Sequence, residues 1–289
     1  MILVTGATGA IGREVVRRLP ADRAVRILAR DPSLVTGAPA TAEIVAGDYR
    51  DPQSLGRAMD GVIRAFLVTS RIGGDDDARL VRSARAAGVR HLVKLSAAAV
   101  RDSGADDLIT RWQRGNEDLL RDCGLEWTLV RPRSFMSNTL SWAASLRGKQ
   151  VVRALYGASP NACVDPRDVA EVVVRVLTED GHAGRVHTLT GPEPISAVEQ
   201  TDQLGRLLGR PLRFEEIGPG EARAQLAQRQ PPDVVEALLA SAERQRAGAK
   251  AQVESTVLEL TGRPARPFRT WAGDHLEAFA AAPEQEGGR

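Results

Sequence analysis

Three glycines at a fixed spacing, Gly6, Gly9 and Gly12, follow directly on the apolar run Ile2 to Val4 and open a helix-like stretch from Ile11 to Leu19. A strand that turns through glycine into a helix is what the phosphates of a dinucleotide require. One glycine makes the tight turn, one lets backbone approach the pyrophosphate, and one lets the helix pack closely on the strand. The helix start adds free N–H groups and a partial positive charge. Gly6, Thr8, Gly9, Ile11 and Gly12 are therefore the expected cofactor-binding residues of this turn. The spacing departs from the G-x-G-x-x-G of many dehydrogenases, and a glycine turn with the wrong flanks is only a loop, so the flanks decide.

Here the flanks alternate. Short β-branched runs at Ile2 to Thr5, Ala24 to Ala29, Glu43 to Ala46, Val62 to Thr69, His91 to Ser96 and Trp127 to Val130 are separated by helix-length amphipathic runs. The helical runs are Ile11 to Leu19, Pro52 to Met59, Asp75 to Ala87 and Ile109 to Cys123, the last stopping at Gly124 as a left-handed C-cap does. This pattern predicts an α/β fold with a doubly wound, mostly parallel Rossmann sheet. After Pro132 the pattern loosens. A helix start at Asp165 to Ala170, a strand at Arg185 to Leu189, a helix from Ser196 to Leu208 and a charged helical region from Pro231 to about Leu260 remain, with a further helix over Thr270 to Ala280. The expected division is a Rossmann core over residues 1–150, then the remaining Rossmann elements with a small helix-rich substrate-side subdomain over 151–280, and a frayed tail at 281–289.

Composition excludes several classes. The 289 residues carry a formal net charge of +2 and their basic residues form no blocks, so no nucleic-acid or membrane footprint is present. Cys123 and Cys163, the only cysteines, have no metal-ligand or C-x-x-C spacing, and His182 and His187 are not spaced as a helical ligand pair, so no metal site is expected. The first strand candidate begins at residue 2 and no run approaches about 18 apolar residues, which leads to the expectation of a soluble, cytoplasmic protein without a leader.

At the end of the second strand, Ala29-Arg30-Asp31 bears on the choice of nucleotide. An acidic residue there bonds the ribose 2′-OH, whereas an arginine accommodates a 2′-phosphate. Arg30 comes first after the strand, so NADP(H) is favoured over NAD(H), unless Asp31 turns inward. Arg13 either adds a second positive charge or is an ordinary exposed residue of the first helical turn. Asp48, after the third strand, is placed to accept from the adenine amino group or to cap the turn before Pro52. Thr69 and Ser96, at the ends of the fourth and fifth strand candidates, complete the expected cofactor contacts.

With these residues in view, the chain resembles the NmrA-like group of atypical short-chain dehydrogenase/reductases. The resemblance is carried by the glycine motif, Arg30, Gly47-Asp48, His91 to Ser96 and Leu129-Val130-Arg131-Pro132, and continues through Asn116 to Leu120, Arg167-Asp168-Val169-Ala170, Leu189 to Glu193 and Leu260 to Pro264. It implies NADP binding and reaction classes that include quinone reduction and steps of secondary metabolism, and also proteins that bind NADP as redox sensors without turnover.

The common short-chain dehydrogenases use a Tyr-x-x-x-Lys pair, the tyrosine shuttling a proton and the lysine lowering its pKa. Tyr49 and Tyr156 are followed at the fourth position by Gln53 and Pro160, so the pair is absent. If Glu117 keeps its place in the family's helix, the tyrosine and lysine positions hold Ile109 and Gln113, and neither is an acid or base. Of the lysines only Lys94 lies near the expected cofactor edge, on the same strand face as Ser96. Ser96, where related enzymes keep a serine, is the candidate catalytic residue, donating to a developing oxyanion, or else a routine turn residue. Phe135, Met136 and Trp142 are candidate walls of a substrate pocket or packing residues. The leading expectation is an NADPH-dependent reductase of a small apolar carbonyl, enone or quinone. An NADP(H)-binding sensor is the alternative and a non-redox isomerase or cyclase the weaker one. The partner expected is a small molecule, with a homodimer left open.

Overall fold

The computed structural model describes residues 1–280, and the tail expected at 281–289 lies outside the described residues. The strands are β1 (Ile2–Thr5), β2 (Val25–Ala29), β3 (Glu43–Ala46), β4 (Arg64–Leu67), β5 (His91–Leu95), β6 (Glu126–Pro132), β7 (Val151–Ala154), β8 (Arg185–Leu189) and β9 (Arg213–Glu216). The helices of the first half are α1 (Ala10–Val16), α2 (Pro52–Met59), α3 (Asp76–Ala86) and α4 (Leu108–Arg121). They are followed by α5 (Ala143–Gly148), α6 (Pro166–Thr178), α7 (Ala197–Leu207) and α8 (Pro219–Ala227). The last four are α9 (Pro232–Arg246), α10 (Thr256–Thr261), α11 (Phe268–Asp274) and α12 (Leu276–Phe279).

Seven strands form one sheet in the order β3-β2-β1-β4-β5-β6-β8, and every pair is parallel. Helices cover both faces, so the central strands are apolar throughout: Leu3, Val4, Phe66, Leu67, Leu92, Val93, Leu129 and Val130 have no solvent exposure. Strand order reverses between β1 and β4, the position at which such sheets open a ligand crevice beyond the strands' carboxyl ends. Local chemistry sets the helix starts. Asp51 accepts from the Gln53 N–H ahead of α2 with Pro52 in its first turn, and Asp107 accepts from the Thr110 N–H at 3.0 Å ahead of α4. Gly124 follows α4 with φ +76°, the left-handed backbone that glycine adopts without penalty.

The chain folds as two compact units. The first contains Met1–Arg133, Pro166–Thr190 and Glu254–Ala265; the second contains Ser134–Asp165, Gly191–Val253 and the described residues from Arg266. These units interleave along the chain, and Rossmann elements were expected after residue 150 as well as before it. The physical reason is β8, which pairs with β6 from Thr128↔Arg185 to Pro132↔Leu189 and so returns a late segment to the sheet that the first half began. The second unit has a parallel pair of its own, β7 with β9, and a core that includes Met136, Leu146, Val152, Leu204, Phe268, Trp271 and Phe279.

Within the first unit His91 opens β5 and is buried. Its Nε2 lies 2.8 Å from Thr128 Oγ1, and that hydroxyl donates to the His182 carbonyl at 2.6 Å. The hydroxyl proton is thereby committed, so the imidazole Nε2–H is the donor to Thr128. Burial, helped by the nearby Arg64 charge, pushes the His91 pKa from 6.5 to about 4. The unfolded chain therefore takes up a proton between these values that the folded chain refuses. Stability present above pH 6.5 falls as the pH drops toward 4, by about 3 kcal/mol at most. Urea denaturation at pH 7 and pH 4.5 is expected to show that loss, and His91→Gln is expected to reduce it. Identical pH profiles for the two proteins would rule the assignment out.

Candidate nucleotide and substrate site

The turn after β1 is shaped by its glycines. Gly6 has φ +65°, and a Cβ there would lie 2.7 Å from Val68 Cβ. A Cβ on Gly12 would lie 2.1 Å from the Gly6 carbonyl oxygen, so α1 packs against the turn at a distance only glycine permits. Gly9 precedes α1 and no side chain caps that helix start. Thr5 pins the turn to β4: its hydroxyl donates to the Phe66 carbonyl at 2.9 Å and accepts from the Val68 N–H at 2.8 Å. Ile11 is buried beneath the turn, and Thr8 and Gly9 are exposed on it.

A cleft of about 400 Å³ opens at the reversal of strand order, lined by Gly6, Thr8 and Gly9 after β1, Arg30 after β2, Asp48 after β3 and Val68 after β4. Arg30 is exposed at its rim. Asp31 does not turn inward; its carboxylate accepts from the Ser33 N–H at 3.0 Å and the Ser33 hydroxyl at 2.6 Å. Asp48 accepts from the Arg50 N–H at 2.8 Å and pairs with the Arg50 guanidinium at 3.2 Å, which holds its carboxyl down at about 2. Arg71 also lines the cleft and pairs with Asp75 and Asp76, each at 2.7 Å. Arg13 folds back onto the Thr8 carbonyl at 3.1 Å. Such a cradle, with backbone close to open space and three arginines at its walls, fits the phosphates of a dinucleotide.

Beyond the cradle, β4, β5 and β6 carry two buried polar networks. Lys94 is fully buried; its Nζ donates to Thr69 Oγ1 at 3.0 Å and to the Leu95 carbonyl at 2.8 Å, and forms an ion pair with Asp77 at 3.3 Å. Thr69 in turn donates to Asp77 at 2.6 Å, so the Thr69 hydroxyl proton is committed within this network. Burial pushes the Lys94 ammonium pKa down against the attraction of Asp77. In the second network Glu117 has no exposure and accepts from the Ser96 hydroxyl at 2.5 Å, Arg131 Nε at 2.7 Å and Arg121 at 2.8 Å. Burial opposes the Glu117 charge, but these bonds outweigh it and hold the carboxyl below its usual range. Because the Ser96 proton points at Glu117, the hydroxyl presents lone pairs and not a free proton to anything beyond the strand end.

The helix that carries Glu117 also carries orphaned groups. Trp112 Nε1, Gln113 Oε1 and Asn116 Nδ2 on α4 are buried and have no hydrogen-bond partner. The Trp112 ring lies 5.9 Å from Lys94 Nζ, which places it against the same network. Native proteins leave few such atoms without a partner, and a cluster of them next to a nucleotide cradle is consistent with a ligand whose polar atoms complete the bonding.

The expected pocket walls all lie in the second unit. Met136 is buried in its core, Trp142 packs against that core, and Phe135 is half-buried with its backbone bridged to Val164. Cys163, also there, is buried with its thiol pushed up to about 12, which leaves it unreactive. Reading the sequence residue by residue missed Arg50, Arg71, Asp77 and the partnership of Ser96, Glu117 and Arg131. Glu117 and Arg131 stood among the family-like motifs, and only their pairing across α4 and β6 was invisible.

A family of NAD(P)H-binding proteins matches residues 6–180 of the chain. Among curated proteins, the (4-alkanoyl-5-oxo-2,5-dihydrofuran-3-yl)methyl phosphate reductase of Streptomyces griseus is 60% identical over 97% of this chain and 99% of its own length. The NAD(P)H azoreductase of Xenophilus azovorans is 35% identical over 98% of this chain and all of its own. Among solved structures, an NADPH-dependent quinone oxidoreductase from Escherichia coli, complexed with NADPH, superposes with a TM-score of 0.83 at 24% identity, covering 96% of this chain and 100% of that one. Among the described residues no helix is long and apolar enough to cross a membrane. With the glycine cradle in place and a family match over more than half its length, the chain belongs to the NAD(P)H-binding, NmrA-like family of atypical short-chain dehydrogenase/reductases and is an NAD(P)H-dependent oxidoreductase.

Proposed function

We propose that this oxidoreductase uses NADPH to reduce the carbon–carbon double bond of an acylated 5-oxo-2,5-dihydrofuran that carries a phosphate monoester. The substrate class comes from the 60% identical relative, and the observation that carries the reading is the α4 face, where Trp112 Nε1 and Asn116 Nδ2 are buried donors without acceptors. The cofactor, when bound, supplies a hydride to the acceptor. In this acceptor the double bond is conjugated with both the ring carbonyl and the alkanoyl carbonyl. A hydrogen–carbon bond forms at the ring carbon bearing the phosphomethyl group, the π bond breaks, and the electron pair moves onto the two carbonyl oxygens. Donors fixed in advance at those oxygens stabilise the charge as it develops, which is the role assigned to Trp112 and Asn116.

A proton from water then completes the neighbouring ring carbon, and an enolate spread over two carbonyls needs no dedicated strong acid to accept it. This accounts for a chain with Ile109 and Gln113 where a tyrosine and a lysine usually stand. Ser96, tied as a donor to Glu117, acts through its lone pairs and orients the edge of the site. Selection of NADPH rests on Arg30 at the cleft rim together with the commitment of Asp31 to Ser33.

Two substitutions test these roles. Asn116→Ala is expected to lower kcat/KM by about 100-fold while leaving the NADPH KM within a few-fold, as removal of an oxyanion donor does. An unchanged kcat would remove Asn116 from the mechanism. Arg30→Ala is expected to raise the KM for NADPH by about 10-fold or more and to leave that for NADH nearly unchanged, since only one nucleotide carries the 2′-phosphate. Equal losses for both would refute the role.

A further inference from the structure

Arg133 follows β6 directly, at the carboxyl edge of the sheet. Its N–H donates to the Leu189 carbonyl at 2.8 Å, which fixes its backbone against β8. One strand over, the Ser96 N–H donates to the Val130 carbonyl at 2.8 Å, so Arg133 lies two to three residues, roughly 7–10 Å of strand rise, past the level of Ser96. Arg131, two residues earlier, turns its guanidinium toward Glu117 on α4.

The Arg133 side chain is poorly compensated. Its Nε is buried and makes no hydrogen bond, and among the described residues no carboxylate lies within ion-pair range of its guanidinium. Its electrostatic neighbours are Glu254, Arg101 and Asp102. Glu254 pairs with Arg101 at 2.6 Å, and Asp102 accepts from the Gly104 N–H at 2.9 Å, so each carboxylate has other business. Arg101, at the end of the short 3-10 turn Ala98–Arg101 that follows β5, adds a second guanidinium, half exposed. A half-buried guanidinium whose Nε is buried without a partner is costly, and its planar fork of donors matches a phosphate.

We infer that Arg133, with Arg101 beside it, holds the phosphate monoester of the substrate and sets a preference for phosphorylated over unphosphorylated acceptors. The inference rests on the proposed reduction, in which the phosphate hangs on the methylene attached to the ring carbon that receives the hydride. An anion site close to the reacting edge of the sheet is what that connectivity demands. Arg133 is a positioning and specificity residue; no bond to the phosphate is made or broken.

Binding and turnover separate this inference from the reading beneath it. With the nucleotide site saturated by NADP+, calorimetric titration with benzyl phosphate, benzyl alcohol and inorganic phosphate measures the anion site without any reaction. Benzyl phosphate is expected to bind, benzyl alcohol to bind at least 10-fold more weakly, and inorganic phosphate to compete. Arg133→Met is expected to weaken benzyl phosphate at least 10-fold and Arg133→Lys by less, while both still bind NADP+ as a folded protein must. Arg101→Ala is expected to cost a smaller factor. Equal affinity of wild type and Arg133→Met for benzyl phosphate would overturn the inference, whatever the enzyme reduces. In turnover, the wild type is expected to favour the furanone phosphate over its dephosphorylated alcohol by about 100-fold in kcat/KM, and Arg133→Met to bring that ratio within a few-fold of unity. A wild type that reduces both equally well would overturn the inference while leaving the reductase reading intact. A wild type that reduces neither while benzyl phosphate still depends on Arg133 would overturn the reading alone.

Discussion

Gly12→Val is expected to abolish NADPH binding and to destabilise the chain by about 3 kcal/mol. A Cβ at this position would sit 2.1 Å from the Gly6 carbonyl oxygen and 2.6 Å from its carbon, and both are backbone atoms that cannot rotate away. Relief requires α1 to lift from the turn, and the turn is held by Thr5 through the Phe66 carbonyl and the Val68 N–H. Either response displaces the backbone that faces the pyrophosphate. Nucleotide titration by fluorescence, alongside chemical denaturation, separates the two effects. NADPH affinity within a few-fold of wild type would show that the close approach of α1 does not shape the cradle. Gly9→Ala serves as the internal contrast, because its Cβ would meet only the Gly6 oxygen at 3.3 Å.

Glu117→Ala is expected to cost about 3–5 kcal/mol, the largest single-residue loss of stability foreseen away from the glycine turn. The carboxylate is wholly buried and accepts from Ser96, Arg121 and Arg131, of which Arg131 is itself nearly buried. Deleting the anion leaves the Arg131 guanidinium charged, desolvated and unpaired, and strips the Ser96 hydroxyl of its acceptor. Glu117→Gln keeps the volume and one acceptor oxygen and is expected to lose about half as much. The double variant Glu117→Leu with Arg131→Met removes both charges and is expected to recover stability relative to Glu117→Ala. Denaturant midpoints for the set provide the check. If Glu117→Ala unfolds within about 1 kcal/mol of wild type, solvent or another group compensates Arg131 and the network does not organise the strand ends.

Much of the first unit was legible in the chain. β1, β3, α2 and β8 fall on the expected residues, because each is a short apolar run or an amphipathic turn bounded by its own caps, such as Asp51 before α2. The glycine turn was legible for the same reason: its physics is local. β7 and β9 were not read as strands, and β9, Arg-Phe-Glu-Glu, shows why. Three of its four residues are charged, and its pairing with β7 joins residues about sixty positions apart, so no local period announces it. The return of a late strand to the sheet was expected from Arg185 to Leu189, and β8 supplies it by pairing with β6.

The site divides along the same line. Arg30 and the glycines are adjacent to the elements that position them, and their place at the cleft follows from strand order alone. Ser96 was expected to donate outward, yet its proton goes to Glu117, 21 residues away on α4. Thr69, expected among the cofactor contacts, has a hydroxyl that joins Lys94 and Asp77 in a buried triad. Met136, left open between a pocket wall and a packing residue, is a core residue of the second unit. In each case the competing interaction spans elements that only the folded sheet brings together. The absence of the Tyr-x-x-x-Lys pair was plain in the sequence, whereas the buried donors of α4, to which we assign its electrostatic task, became visible only in the fold.

The central claim is that a bound NADPH reduces the doubly activated double bond of a dihydrofuran phosphate without a protein acid. The direct measurement is turnover of that acceptor with NADPH carrying deuterium at the transferable position, followed by location of the label in the product. The account predicts one deuterium on the ring carbon that bears the phosphomethyl group, a solvent-derived hydrogen on the neighbouring ring carbon, and one NADP+ formed for each product. No NADPH consumption with this acceptor, or label found on a carbonyl carbon instead, would contradict it.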